Sequence, residues 1–156
     1  MKITIISVGK IKENYFKDSV DEYCKRLNNY CTLNRVEIAD EKIIESKSDS
    51  SIKNKESEKI LRALSEKSYK IAMTETGKTF NSEDFSDFVS SIKNTGVSEI
   101  SFIIGGALGL GDEILKQSDF KLSLSKMTLP HQMAYLFLTE QIYRAFKIMS
   151  NEPYHK

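Results

Sequence analysis

The chain has 156 residues, 23 Lys and Arg against 22 Asp and Glu, and 40% hydrophobic residues. That is enough for one domain with a real core, in ordinary globular proportion. The near-neutral balance excludes a basic nucleic-acid arm and an acidic tail, so an RNA partner would have to be met by a local basic patch.

The opening Met1-Lys-Ile-Thr-Ile-Ile-Ser-Val8 has too short an apolar run, and no small-residue cleavage site, for a secretory signal. No apolar run nears the roughly 20 residues that span a bilayer. Cys24 and Cys31 are too few for a disulfide framework, and with two scattered His they predict no metal site. The expectation is a cytoplasmic protein with reduced thiols and no membrane partner.

Residues 3–8 read as a short apolar strand ended by Gly9-Lys10. Residues 15–27 read as a helix, with Phe16, Val20, Tyr23 and Leu27 at helical spacing. Residues 32–38 read as a second strand. The stretch 41–57 is polar, with five serines and only three isoleucines, and reads as a loop passing into a helix through Ile60, Leu61 and Leu64. Residues 69–74 form a third strand, followed by Gly77-Lys78. Ser82 is the expected N-cap of a helix carrying Phe85, Phe88, Val89 and Ile92 on one face. Residues 100–104 are apolar but for Ser101, as in a buried strand of a parallel sheet. A glycine-rich loop, a short helix from Asp112, a strand over 121–125 and a closing helix from Pro130 follow.

Repeated strand–helix alternation predicts an α/β sheet with helices on both faces. In such sheets ligands sit at the carboxyl ends of strands, which points to residues 73–78, 105–111 and 124–129. Gly105, Gly106, Gly109 and Gly111 lack the G-x-G-x-x-G order. Gly106 and Gly111 have P-loop spacing but are followed by Asp112 and Glu113. Carboxylates at that helix start repel phosphate. The loop suits a ligand without phosphates, such as an adenosyl group on a cationic amino acid; a tight turn with no ligand reads equally well from the glycines alone.

The run Leu124, Ser125, Lys126, Met127, Thr128, Leu129 is a polar loop between buried elements, with backbone groups able to meet a planar ring of donors and acceptors. His131 falls in the first turn after Pro130, where capping or packing fits better than chemistry. In the last helix Leu138, Ile142, Ala145 and Met149 make an apolar stripe widened by Met133, Phe137 and Phe146, broad enough for the sheet and a partner subunit. Arg144 follows Glu140 by four residues, as a surface pair or as an Arg held toward a phosphate or base edge. Tyr154 and His155 would be either a disordered end or a stacking surface with a proton acceptor. Lys10, Lys12 and Lys126 are candidate phosphate contacts.

Met1-Lys-Ile-Thr-Ile-Ile-Ser-Val-Gly-Lys10, Ile104-Gly-Gly106, Leu124-Ser-Lys-Met-Thr-Leu-Pro-His-Gln132, Glu140-Gln-Ile-Tyr-Arg-Ala-Phe146 and the final Pro153-Tyr-His-Lys156 together resemble the bacterial ribosomal RNA large subunit methyltransferase H family, small members of the SPOUT methyltransferases. The resemblance covers the whole chain. It implies a SPOUT-type parallel-sheet α/β/α fold in a single domain over residues 1–156, with a C-terminal trefoil knot, and a homodimer packed through the knotted region. It implies S-adenosyl-L-methionine as cofactor, no metal, and as acceptor N3 of a pseudouridine in 23S rRNA within the assembled 70S ribosome. Carried over by position, Met73, Gly105, Leu124, Ser125, Lys126, Met127, Thr128 and Leu129 would bind the cofactor, and Arg144, Tyr154 and His155 would be catalytic. Met73 stands where the family usually has Leu, a volume-conserving exchange. Thr74 stands where the family commonly has an acidic residue. The rival expectations are a SPOUT enzyme with another RNA acceptor such as tRNA, and a non-catalytic ribosome-binding protein.

Overall fold

The structure is a computed structural model that describes residues 1–44 and 46–155. Glu45 of the polar stretch and Lys156 of the final motif lie outside the described residues. Ten elements alternate: β1 (Lys2–Val8), α1 (Asn14–Leu27), β2 (Thr32–Ile38), α2 (Asp49–Ala63), β3 (Tyr69–Thr79), α3 (Ser82–Asn94), β4 (Glu99–Ile104), α4 (Asp112–Gln117), β5 (Phe120–Ser123) and α5 (His131–Met149). The five strands form one parallel sheet in the order β2-β1-β4-β3-β5.

The central strands β1 and β4 are buried on both faces, as suits their mainly apolar runs, in which only the small polar Thr4, Ser7 and Ser101 are buried among aliphatic and aromatic side chains. Ile3, Ile5, Ile100 and Phe102 pack against α1, α3 and α5. Ile6, Val8 and Ile103 pack on the other side, with Ile60 of α2 and Ile114 of α4. Each such fully buried side chain contributes about 1.5–3 kcal/mol relative to exposure. Among the described residues no helix is long and apolar enough to cross a membrane.

Four local expectations change. The polar stretch 41–57 holds the start of α2, capped by Ser48, whose hydroxyl accepts the Ser51 N–H at 3.2 Å. Its buried face includes Glu56 and Ser57, because the glycine loop lies directly on it: a Cβ at Gly111 would fall 2.3 Å from Ser57 Oγ. Asn81, not Ser82, caps α3, its side-chain oxygen accepting the Asp84 N–H at 2.7 Å. Ser82 opens the helix and donates to Gln141 of α5 instead. Pro130 is the residue before α5 rather than its first turn. Finally, β3 continues through Gly77-Lys78: Met73 and Lys78 both pair with Leu122, so residues 74–77 bulge out of the ladder.

Candidate functional site

The course of the chain between β5 and α5 builds the site. Ser123 ends β5 at the sheet edge, paired with Thr79 of β3. Eight residues on, the His131 ring lies beside Gly9 at the end of β1, its Nε2 3.9 Å from where a Gly9 Cβ would stand. Strands β3 and β4 lie between β5 and β1. Residues 124–130 therefore run back across the carboxyl edge of the sheet, a span of about 14 Å at ~4.8 Å per strand. Seven residues reach about 23 Å when extended, so the crossing has slack to bend around a ligand.

The residues expected at the cofactor fall on the carboxyl ends of β3 and β4 and on the crossing itself. Met73 lies at the β3 bulge and Gly105 directly after β4, both half-buried. Leu124, Ser125 and Leu129 are half-buried; Lys126, Met127 and Thr128 are exposed, Met127 by 77%. Ser125 shapes the bend: its carbonyl accepts from Ser123 Oγ at 2.8 Å and its own hydroxyl accepts the Met127 N–H at 2.9 Å. Gly105 has a structural reason of its own. A Cβ there would meet the Gly109 and Leu110 backbone at 2.7 and 2.8 Å, since the loop folds back through a Gly106–Gly109 bridge. The exposed carboxylates of Asp112 and Glu113 begin α4. They suit a cationic sulfonium ligand and disfavour phosphate.

The expected catalytic residues also meet, around Glu140. Arg144 Nε and Nη2 donate to Glu140 Oε1 at 3.0 and 2.6 Å, and the Tyr154 hydroxyl donates to the same oxygen at 3.0 Å. Glu140 Oε2 accepts from Gln141 at 2.7 Å. The guanidinium lies 4.7 Å from the centre of the Tyr154 ring, which packs edge-on against Tyr143 at 4.9 Å. His155 Nδ1 stands 3.3 Å from Arg144 Nη1. A guanidinium cannot accept, so a neutral His155 carries its proton on Nε2, 3.5 Å from Glu83 at the start of α3.

The segment after α5 is thus docked rather than free. Lys147 and the Tyr30 hydroxyl, the latter at 2.8 Å, both hold Glu152. Hydrogen bonding to Glu140 raises the Arg144 pKa against its desolvation, so the cation is secure. Burial, then hydrogen bonds with Tyr23 and Glu140, push the Tyr154 phenol well above the ordinary tyrosine range. It stays protonated where a free tyrosine ionises, near pH 10. Tyr154→Phe keeps the ring contacts and removes the link to Glu140. Methyl transfer should fall about ten-fold, the worth of one hydrogen bond to a charged group, and the alkaline limb of the pH–rate profile should not move. Loss of an alkaline limb in the variant would contradict a Tyr154 that stays protonated.

A depression of about 120 Å³ is walled by Phe80, Phe85 and Phe137, and is lined also by Leu124 of the crossing and by Gln141, the residue after Glu140. Several contributors were not expected from sequence: Tyr23, Glu83 and Gln132 all act at a distance of 59 residues or more along the chain. Gln132 binds the backbone of Lys12 and Glu13. Their only sequence signal is that Gln132 lies within one of the motifs.

A parallel α/β sheet whose carboxyl edge carries a returning loop is a fold this chain shares with solved methylase-family proteins. A probable methylase family protein from Haemophilus influenzae has a solved structure that superposes with a TM-score of 0.55 over 99% of this chain and 70% of that one, at 14% identity; this speaks for the fold alone. Residues 1–155 match the family described as Predicted SPOUT methyltransferase, and the chain belongs to it. Proteins named ribosomal RNA large subunit methyltransferase H from Clostridium acetobutylicum and Clostridium kluyveri are each 51% identical over the full length of both chains.

Proposed function

We propose that this chain is an S-adenosylmethionine-dependent rRNA methyltransferase that modifies N3 of a pseudouridine in 23S rRNA on the assembled 70S ribosome, in the cytoplasm. Full-length relatedness to proteins named for large-subunit rRNA methylation supports the reaction class. The observation that carries the reading is the Glu140-centred cluster of Arg144, Tyr154 and His155, whose neighbour Gln141 lines the same depression as Leu124 of the crossing. The acceptor detail rests on the family resemblance of those motifs.

The cofactor would lie on Met73, Gly105 and the run 124–129. When bound, S-adenosylmethionine supplies a methyl already activated on sulfonium. The protein's work is then alignment and removal of the N3 proton. Two of the five Arg144 donors face Glu140 and a third faces His155, which leaves a hydrogen on each terminal nitrogen for a phosphate or a base carbonyl. Tyr154 offers its ring edge to position the base. His155 is the group to receive the proton at Nδ1, once an incoming carbonyl draws Arg144 away from that atom.

A trefoil knot and a homodimer complete the reading. Two observations support the threading: the return of 124–130 across two strands, and the pressing of Gly77 against the Lys121–Leu122 backbone. The dimer finds support in Met133 and Phe137, neighbours on α5 that are each 43% exposed, beside the exposed Met127. In that dimer the base would enter where the crossing of one protomer faces the Arg144 cluster.

The test is methyl transfer from labelled S-adenosylmethionine to unmodified 70S ribosomes, free 50S subunits, naked rRNA and tRNA. Labelling of one pseudouridine on 70S ribosomes is the expected result. Transfer to tRNA alone, or to none of these, would overturn the acceptor. His155→Ala should lower turnover while cofactor binding is kept; full turnover in the variant would exclude His155 as the proton acceptor.

A further inference from the structure

The first two residues of α5 tie the end of the crossing to the turn after β1. Gln132 Oε1 accepts the Lys12 N–H at 2.7 Å and the Glu13 N–H at 3.1 Å, across 120 and 119 residues of sequence. Helix α1 begins just after Glu13, which offers no side-chain cap of its own. Gln132 therefore fixes the backbone entering α1. His131 points inward beside it. Its ring nitrogens are buried, neither has a hydrogen-bond partner of good geometry, and Nε2 lies against Gly9, whose φ of +93° suits glycine. Burial depresses the imidazole pKa; the Gly105 backbone, Asp40 and Glu37 favour the charged form but are outweighed. The amino end of α5 also disfavours a cation there. Lys10 and Lys12, on the same turn, are exposed. The ring is a neutral wedge between the ends of the two central strands.

The crossing has little else to hold it. Its middle is exposed, and its own side-chain bonds are those of Ser123 and Ser125 at the β5 end. The course of residues 124–130 is consequently set by β5 at one end and by His131 and Gln132 at the other. We infer that His131 and Gln132 are positioning residues for the cofactor, fastening the crossing to Gly9–Glu13 and to the glycine loop so that the ligand meets a preset floor. This rests on the placement of the cofactor at Gly105 and 124–129.

The sign of the pH effect follows from the geometry. A cation at His131 has no place in the wedge, so acidification through its lowered pKa displaces the ring and loosens the crossing. Cofactor affinity should fall on the acid side, and a residue that cannot charge should remove that fall.

The experiment is calorimetric binding of S-adenosylhomocysteine to the full chain at about pH 7.5 and about pH 5, where histidine changes charge, with amide hydrogen exchange and melting of each variant. In the wild type, exchange at Gly105 and over 124–129 should slow on binding. Gln132→Ala should weaken binding about ten-fold or more, as misplaced contacts do. Gln132→Glu, which keeps the acceptor, should stay within about two-fold. His131→Gln should flatten the acid dependence. Unchanged affinity in Gln132→Ala, failure of Gln132→Glu to rescue, a wild-type pH profile in His131→Gln, or affinities that merely track melting temperature would each overturn the assignment. Protection falling outside 105 and 124–129 would instead overturn the cofactor placement beneath it.

Discussion

Arg144→Ala should lower methyl transfer to ribosomes by about a hundred- to a thousand-fold, the range for removing one oriented charge donor from a reacting site. The fold should survive. Arg144 and Glu140 are a partly buried pair, with side chains 24% and 16% accessible, so its loss should cost about 1.5–3 kcal/mol, as for a hydrogen bond to a charged group. The geometric role is larger. One planar group bonds Glu140, meets His155 Nδ1 and stacks on Tyr154. Arg144→Lys should therefore rescue little, because an ammonium has no fork to span Glu140 and His155 together. Arg144, Tyr154 and Glu140 share one carboxylate oxygen, so double variants should be strongly non-additive: Arg144→Ala with Glu140→Ala should cost little more than either alone. Single-turnover transfer, ribosome affinity and melting temperature separate the possibilities. An Arg144→Ala enzyme that keeps its turnover, or loses activity only in step with its fold, would remove Arg144 from the mechanism.

What could be read before the structure was local or motif-borne. Apolar runs marked β1 as a strand and β4 as a buried one, and the spacing of Phe16, Val20, Tyr23 and Leu27 marked α1. The N-cap of α3 slipped by one residue because Asn81 and Ser82 are both good caps; the choice is made by Gln141, 59 residues away, which takes the Ser82 hydroxyl. The start of α2 looked like a loop because its buried face carries Glu56 and Ser57 between Ile52 and Ile60, which interrupts the apolar stripe. That face needs small and polar groups only because Gly106 and Gly111 lie against it. The cofactor and catalytic residues were named from motif resemblance, and the structure brings Arg144, Tyr154 and His155 together around Glu140. How the sets relate was not legible. It depends on β5 taking the sheet edge while α5 returns to β1, and on Tyr23, Tyr30 and Glu83 receiving the last residues. No spacing along the chain encodes contacts of that range.

Gly77→Ala should destabilise the protein by about 3 kcal/mol, at the upper end for overpacking, and lower its melting temperature by about 10 °C. The added methyl would stand 2.6–2.7 Å from Leu122 C, Leu122 N and Lys121 C. All three are backbone atoms of a paired strand, so no side chain can swing aside. Either the 74–77 bulge or β5 must move, and both border the expected cofactor edge. The proper control is Gly96→Ala. Gly96 has φ +88° with nothing within 4 Å of an added Cβ, so its cost is backbone strain alone, about 1–2 kcal/mol. A larger loss at Gly77, where no positive φ is involved, isolates the backbone-on-backbone contact. The two variants should also differ in ligand binding: Gly77→Ala should weaken S-adenosylhomocysteine even at temperatures where it is fully folded, and Gly96→Ala should not. Equal melting temperatures and equal affinities would mean that the bulge yields freely. The tight passage of β3 against β5 would then carry no part of the fold's stability and none of the site's rigidity.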